Sequence, residues 1–388
     1  MYITRIAENN LKNALNKPKI VIILGARQVG KTTLVKHFLS NQKTVFLNLD
    51  IEIEKQRLIA AASLSPADGL KTFGNPDILI IDEAQRLAET GRIIKGWYDA
   101  NLPVKFILLG SSSLNLLNQV SESLTGRNEK IFLPPLLFKE ILTFQSWYSS
   151  AFSSEQLWQN FSAPIKEMLL QSLIFGNYPE AAATADKQKF LLNLMADYLL
   201  KDVLQIGLIK TPELIKRLLM LLAHQIGSEV SVNELANNLN MSRITIERYL
   251  ELLEQTFVIF RLPAFSSNPR KEIVKSQKIY FWDTGVRNAL LNEFSLNPLR
   301  SDIGALWENW IISELAKINL LNDQRRNFYF WRSRAGSEVD LIIKENEKLS
   351  AYETKWQKKS LSSKTAFTSL YKTEIELINS DNFLKFLN

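Results

Sequence analysis

Along the first third of the chain, apolar runs of strand length recur: Ile20 to Leu24, Thr44 to Leu49, Ile78 to Ile81, Val104 to Leu109 and Lys130 to Leu133. The stretches between them can hold helices, and this alternation predicts a parallel sheet with crossover helices. Between Thr211 and Leu262 the pattern changes to short capped helices. Ser231-Val232-Asn233-Glu234 reads as a capping box, and a second helix start at Ser242 opens SRITIERYLELLE, with Ile246, Leu250 and Leu253 on one stripe and Arg243, Thr245 and Arg248 elsewhere. Two capped helices joined by a short turn predict a helix-turn-helix. The strand-like TFVIFRL and KIYFWD follow, linked by PAFSSNPRKEIVKSQ, whose Arg270, Lys271 and Lys275 would sit on a hairpin wing. From Ser301 the chain offers a helix, DIGALWENWIISELAKI, then strands NFYFWRSR, EVDLIIKE and SAYETKW, which predict a helix followed by an antiparallel meander.

The first apolar run leads into GARQVGKTT, Gly25 to Thr33, which fits the phosphate-binding loop pattern. Glycines let successive backbone N–H groups turn towards phosphate oxygens, and the following helix offers its positive N-terminal end. Lys31 can reach the β and γ phosphates of ATP, and Thr32 would hold Mg²⁺ through its hydroxyl. The nucleotide-binding set is Gly25, Ala26, Gln28, Gly30, Lys31, Thr32 and Thr33. A glycine-rich turn that merely carries Lys-Thr would lack the strand-loop-helix context legible here. The run ILIIDEAQRL places Asp82 and Glu83 at the carboxyl end of a buried strand, where Asp82 would orient Mg²⁺ through water and Glu83 would polarise the attacking water. FILLGSSSL puts Ser111 and Ser112 at the tip of the next strand, as nucleotide sensors or as plain turn residues. In SLTGRNEKIFLPPL, Arg127 is a candidate arginine finger for a neighbouring subunit, with an ordinary surface arginine as the alternative.

Composition narrows the classes. A chain of 388 residues exceeds one ordinary core, and its length favours roughly two to three domains. Hydrophobic residues make up 46% and charged residues 22%, the balance of a soluble globular protein. With no cysteine, disulfides and thiolate metal sites are excluded. The amphipathic start lacks the apolar core of a secretion signal, and no apolar run approaches the ~20 residues of a spanning helix, so a cytoplasmic protein with no membrane partner is expected. A net charge of +7 and a pI near 9.2 favour a polyanionic partner such as DNA, although the excess is modest for this length. Backbone contact through Arg243, Arg248, Arg270 and Lys271 is expected, opposed by Glu247, Glu251 and Glu254 wherever these face outward.

In the last segment, pairing of the strands can bring Asp340 and Glu353 together, and period-two alternation puts Glu353 and Lys355 on the same face. Two carboxylates and a lysine on adjacent strands can hold a hard cation such as Mg²⁺ and act on a phosphodiester. Charged residues on a hairpin are also commonly just its wet face.

GARQVGKTTL, ILIIDEAQ, LLGSSS, SLTGRNEKIFLPPLLFKEI and FGNYPEA resemble, in this order, the bacterial and archaeal AAA-type ATPases that carry a C-terminal domain of formerly unknown function. The resemblance covers nearly the whole chain. It implies an α/β P-loop parallel-sheet ATPase core over 1–137, a helical lid over 138–209, a winged helix-turn-helix over 210–285 and a C-terminal α+β domain over 286–388. That family usually shows a glycine pair in the lid phrase, where this chain has Gly176-Asn177. The acid followed by an acid-x-lysine triplet resembles the restriction-endonuclease-like PD-(D/E)xK nuclease superfamily, and Glu308 on the preceding helix matches its additional metal-binding glutamate, although Val339 stands where proline is common. Three modules compatible with polyanions in one basic chain lead to the expectation of an ATP-hydrolysing homo-oligomer that binds and processes DNA, branched or broken forms included, with a C-terminal domain that either cuts or only binds. The alternatives are a nucleotide-controlled switch with protein partners and a defence nuclease licensed by ATP.

Overall fold

The computed structural model describes residues 2–111, 124–199, 212–266, 277–322, 324, 326–333, 335–357, 360 and 366–387. Ser112, Arg270, Lys271 and Lys275 lie outside them. The chain divides into two compact units: Thr4–Pro134 with Gln255–Phe257 form one, and the remainder forms the other.

In the first unit, helix α1 (Ala7–Leu15) precedes β1 (Ile20–Leu24), α2 (Lys31–Phe38), β2 (Thr44–Asn48), α3 (Glu52–Ala62), α4 (Pro66–Lys71), β3 (Ile78–Asp82), α5 (Thr90–Asp99), β4 (Lys105–Gly110) and β5 (Asn128–Phe132). The strands form one parallel sheet in the order β2-β3-β4-β1-β5. Every residue of β1 and β3 is buried, as unbroken apolar runs require when helices cover both faces. Ile20, Ile22, Leu79, Ile81, Phe106 and Leu108 pack with Trp97 of α5 in one apolar core. Burying each such side chain contributes roughly 1.5–3 kcal/mol. Polar Asn128 and Glu129 nonetheless open β5, because an edge strand needs only backbone pairing, here Ile20↔Asn128 and Val21↔Glu129. Ser65 caps α4 by accepting from Asp68 N at 3.2 Å, with Pro66 in the first turn.

The second unit continues with α6 (Phe138–Thr143), α7 (Ser154–Phe175), α8 (Pro179–Ala183), α9 (Lys187–Asn193), α10 (Pro212–His224), β6 (Glu229–Val230), α11 (Val232–Leu239), α12 (Arg243–Gln255), β7 (Ile259–Pro263), β8 (Gln277–Phe281) and α13 (Thr284–Leu291). It ends with α14 (Ile303–Leu321), β9 (Asn327–Arg332), β10 (Glu338–Glu345), β11 (Lys348–Thr354), α15 (Ala366–Tyr371) and β12 (Ile375–Ile378). A three-stranded antiparallel sheet runs β6-β8-β7, and a four-stranded sheet runs β12-β11-β10-β9. The expected antiparallel meander forms over β9, β10 and β11, and β12, which follows the α15 connection, adds to it parallel to β11. The stretches 138–209, 210–285 and 286–388, expected as separate domains, contribute to one apolar core that includes Phe138, Leu169, Tyr280, Trp307, Trp310 and Phe383.

Helix starts follow the expected chemistry with one difference. Ser231 accepts from Glu234 N at 3.3 Å and Ser242 accepts from Thr245 N at 3.1 Å. The Glu234 carboxylate, expected to complete a capping box, instead accepts from Gln225 Nε2 at 3.4 Å.

The phrase FGNYPEA forms a buried junction. Asn177 N donates to Asp283 Oδ2 at 2.7 Å, Ser172 Oγ donates to Asn177 Oδ1 at 2.5 Å, and Trp310 Nε1 donates to Ser172 Oγ at 2.9 Å. Gly176 has φ +65° and ψ −166°, and a β-carbon there would overlap the Asp283 carboxylate. Only Gly176 of the two needs glycine's freedom, because Asn177 does not take a positive φ. Replacing Gly176 with alanine should destabilise the fold by about 2 kcal/mol or more. Thermal or urea unfolding of Gly176→Ala checks this, and an unchanged midpoint would show that the junction tolerates the added atom.

Candidate active site

The loop after β1 is shaped by backbone constraints that few residues satisfy. A β-carbon at Gly25 would overlap the Leu133 carbonyl oxygen, so this position admits only glycine. Gln28 (φ +61°) and Gly30 (φ +92°) are both left-handed, a conformation that turns successive N–H groups inward. Gly30 caps α2 without a side-chain hydrogen bond, and the first turn of that helix carries no acidic residue. Its positive end is therefore left for an anion.

Lys31 is only 6% exposed, and its ammonium donates to Gly25 O at 2.9 Å and Ala26 O at 2.8 Å. Thr32 Oγ1 donates to Asp82 Oδ2 at 2.6 Å, so the hydroxyl of α2 and the carboxylate of β3 already meet. A hydroxyl and a carboxylate converging beside a phosphate cradle fit a hard cation such as Mg²⁺. Thr33 faces solvent and does not join them.

Glu83 follows in a left-handed conformation (φ +50°, ψ +42°), with its N–H donating to Asp82 Oδ1 at 2.9 Å. Burial pushes its carboxyl above the ordinary carboxylate range, opposed by Lys31 and Arg27 and reinforced by Asp82 and Asp50. A carboxylate tuned upward beside a phosphate loop suits a general base. Ser111, buried at the end of β4, accepts from Gln85 Nε2 at 3.2 Å, and the same nitrogen donates to Glu83 Oε2 at 2.5 Å. The sheet order explains the meeting, since β4 lies between β1 and β3.

Sequence patterns missed two of these participants. Gln85 sits inside the acidic motif but becomes meaningful only once β4 is placed beside β3. Arg5 is buried and straps the loop, donating from Nη1 to Val29 O at 2.9 Å and from Nη2 to Pro134 O at 2.6 Å. A lone arginine ahead of β1 gives no spacing signal for such a role. Arg127, the finger candidate, pairs with Asp99 at 2.7 Å, and both side chains are more than a third exposed. Such a surface pair is worth about 0–1 kcal/mol and is readily broken.

On α12, Arg243 and Arg248 are exposed, whereas Glu247 and Glu254 turn to Arg261 of β7, at 3.2 Å and 2.7 Å. The repulsion expected from these glutamates is thus internally compensated for two of the three.

The C-terminal acids meet lysines instead of forming the expected metal set. Asp340 Oδ2 accepts from Thr354 N at 2.7 Å, Thr354 Oγ1 at 3.1 Å and Lys355 Nζ at 3.4 Å, while Lys355 also pairs with Glu353 at 2.7 Å. A register shift between Val339 and Ile342 in the β10–β9 pairing brackets Asp340, a device that re-aims a side chain. Glu308 Oε1 accepts from Tyr280 at 2.6 Å and from Lys278 at 2.9 Å, and Lys278, 2% exposed, also pairs with Glu338 at 2.5 Å. Burial, then Asp340, pushes the Glu308 carboxyl up to about 7 against the pull of Lys278 and Tyr280. Among the described residues no group of three or more His, Asp or Glu is placed to hold a metal ion. Glu308, Asp340 and Glu353 therefore do not fit Mg²⁺ as arranged, because Lys278 and Lys355 supply the positive charge that a metal would bring.

An AAA domain matches residues 17–142, and two domains of unknown function, DUF8612 and DUF4143, match residues 166–297 and 303–383. An uncharacterized protein of Mycobacterium tuberculosis is 28% identical over 355 residues, covering 90% of this chain and 73% of that protein. One of Methanocaldococcus jannaschii is 28% identical over 365 residues, covering 89% and 77%. A solved Walker-type ATPase of Pyrococcus abyssi is similar in fold, with TM-score 0.52 and 16% identity over 75% of this chain and 96% of that one. No helix among the described residues is long and apolar enough to cross a membrane. The AAA domain match spans the segment that assembles Lys31, Thr32, Asp82 and Glu83, and it supports ATPase function at this site.

Proposed function

We propose that ATP hydrolysis at this site drives the handling of DNA by the second unit, with Mg²⁺ held by Thr32 and Asp82. When bound, the ion would offset the charge of the phosphates. Lys31 leaves the Gly25 and Ala26 carbonyls for the β and γ phosphates, and Glu83 accepts a proton from the water that attacks the γ-phosphorus, with ADP leaving. The Arg127–Asp99 pair opens in a homo-oligomer, so that Arg127 serves a neighbouring site.

The observation that carries the DNA assignment is the order α10, β6, α11, α12, β7, β8 with Arg243 and Arg248 exposed on α12. This order supports a winged helix, in which the second helix of the pair lies against DNA. Withdrawal of Glu247 and Glu254 to Arg261 leaves that helix less repulsive to phosphates, and Ile244, 81% exposed, accompanies the arginines. The α14-β9-β10-β11 order, with β12 parallel to β11, supports a restriction-endonuclease-like domain. Its lysine-paired acids favour binding of DNA over cutting.

Steady-state ATPase assays with single-stranded, duplex and four-way-junction DNA test the assignment. DNA is expected to stimulate turnover and to bind more weakly as salt rises. Absence of binding to any of these at low salt sinks the DNA assignment. Replacing both Arg243 and Arg248 with alanine should reduce the slope of log affinity against log salt by about 2.

Lys31→Ala should abolish turnover, and Glu83→Gln should lower kcat by about 10²–10⁴-fold while nucleotide still binds. If the Glu83→Gln protein turns over at the wild-type rate, Glu83 is not the base.

Stability should also respond to pH through Glu308. Its folded value near 7 exceeds the ordinary 4.5, so its stabilising contribution is complete below pH 4.5 and is lost as pH rises through 7. Urea unfolding of wild type and Glu308→Gln between pH 4.5 and 8 should show a downward slope in the wild type that the variant lacks. Parallel pH profiles would refute it.

A further inference from the structure

The amide of Gln85 is hydrogen-bonded through its nitrogen and unpartnered at its buried oxygen. Its nitrogen bridges Glu83 Oε2 at 2.5 Å and Ser111 Oγ at 3.2 Å, while Oε1 is buried from solvent and has no hydrogen-bond partner among the described residues. Turning the amide over would set Oε1 against the Glu83 carboxylate, acceptor facing acceptor, so chemistry fixes the observed orientation. A buried acceptor without a donor is uncommon and unfavourable, and it marks a place that a donor normally fills.

The donor required is small, buried and adjacent to Glu83. Oε1 and the nitrogen that holds Glu83 are bonded to the same carbon, so one water can donate one hydrogen to Oε1 and the other to the Glu83 carboxylate. Such a water has two fixed acceptors, which orient its lone pair away from both.

We propose that Gln85 is a catalytic residue of this ATPase, holding the Glu83 base through Nε2 and orienting the attacking water through Oε1. This rests on the ATPase assignment and adds a second group at the nucleophile. The water oxygen forms the new bond to the γ-phosphorus, its proton passes to Glu83, and the bond to the bridging oxygen breaks with that electron pair leaving on ADP. Gln85 transfers no proton and restricts the water to the line of attack. Ser111 then has a defined task as a positioning residue: it fixes the amide from the tip of β4.

The test compares wild type, Gln85→Ala, Gln85→Glu, Glu83→Gln and the Glu83→Gln/Gln85→Ala double variant, measuring kcat, KM and equilibrium binding of a fluorescent ATP analogue. Gln85→Ala should lower kcat by about 10–10²-fold with analogue affinity within about twofold of wild type. The double variant should be no slower than Glu83→Gln, because both residues act on one water. In the near-isosteric Gln85→Glu, a second carboxylate beside Glu83 raises its proton affinity, so the acidic limb of the kcat profile should move to higher pH. A Gln85→Ala kcat within about twofold of wild type overturns the proposal, as does full multiplication of the two defects in the double variant. So do equal losses of binding and turnover with an unmoved acidic limb in Gln85→Glu. Absence of turnover in the wild type would overturn the ATPase assignment and this role together, whereas wild-type turnover with an unaffected Gln85→Ala removes this role alone.

Discussion

A single hydrogen bond, Thr32 Oγ1 to Asp82 Oδ2 at 2.6 Å, joins segments fifty residues apart and fixes where the chemistry can happen. It requires that β1 and β3 run parallel in one sheet, so that the loop after β1 and the acids ending β3 emerge at the same edge. Neither strand could meet that requirement alone. Both are short, buried and apolar except for Asp82 at the end of β3, and their burial supplies the driving force that keeps the polar ends in place. The insertion of β4 between them brings Ser111 to the same edge and makes the Gln85 bridge geometrically available.

Two buried lysines show how the molecule separates a binding site from a closed polar core. Lys31 rests on two neutral carbonyls, which share its protons without cancelling its charge. Moving onto phosphate therefore improves its electrostatics. Lys278 is opposite in design. Burial alone would lower its affinity for a proton, but Glu308 and Glu338 raise that affinity well above the ordinary lysine value, and the ammonium lies over the Phe330 ring as well. Removing a buried, doubly paired charge leaves its partners uncompensated, so Lys278 is fixed in place.

This difference also explains what could be read along the chain. Gly25, Lys31, Thr32 and Asp82 were legible because backbone geometry dictates their spacing: a glycine where a β-carbon has no room, a lysine and a hydroxyl opening a helix, and an acid closing a strand. Arg5 and Gln85 were not, because their roles exist only after distant segments meet. The paired helices were legible from Ser231 and Ser242, yet the fate of Glu247 and Glu254 depended on Arg261, whose position no local pattern specifies. The acid-x-lysine triplet was visible too. Its own lysine, Lys355, takes Asp340 and Glu353, and Glu308 is taken by Lys278, which arrives from β8, a strand outside the pattern.

The C-terminal cluster can be weighed by charge alone. Glu308, Glu338, Asp340 and Glu353 face Lys278 and Lys355, an excess of acid that the raised affinities of Glu308 and Glu353 for protons partly relieve. A divalent cation would relieve it too, but only by breaking contacts already made. Lys355 would have to leave both Asp340 and Glu353, and the Asp340 carboxylate would have to release two donors from Thr354. Glu308 would in addition lose Tyr280 and Lys278. Each charge-assisted bond surrendered costs about 1.5–3 kcal/mol, so a metal must repay several at once before it binds at all. The cluster consequently favours protons and lysines over Mg²⁺, and an acid-x-lysine spacing does not by itself bring metal-dependent chemistry.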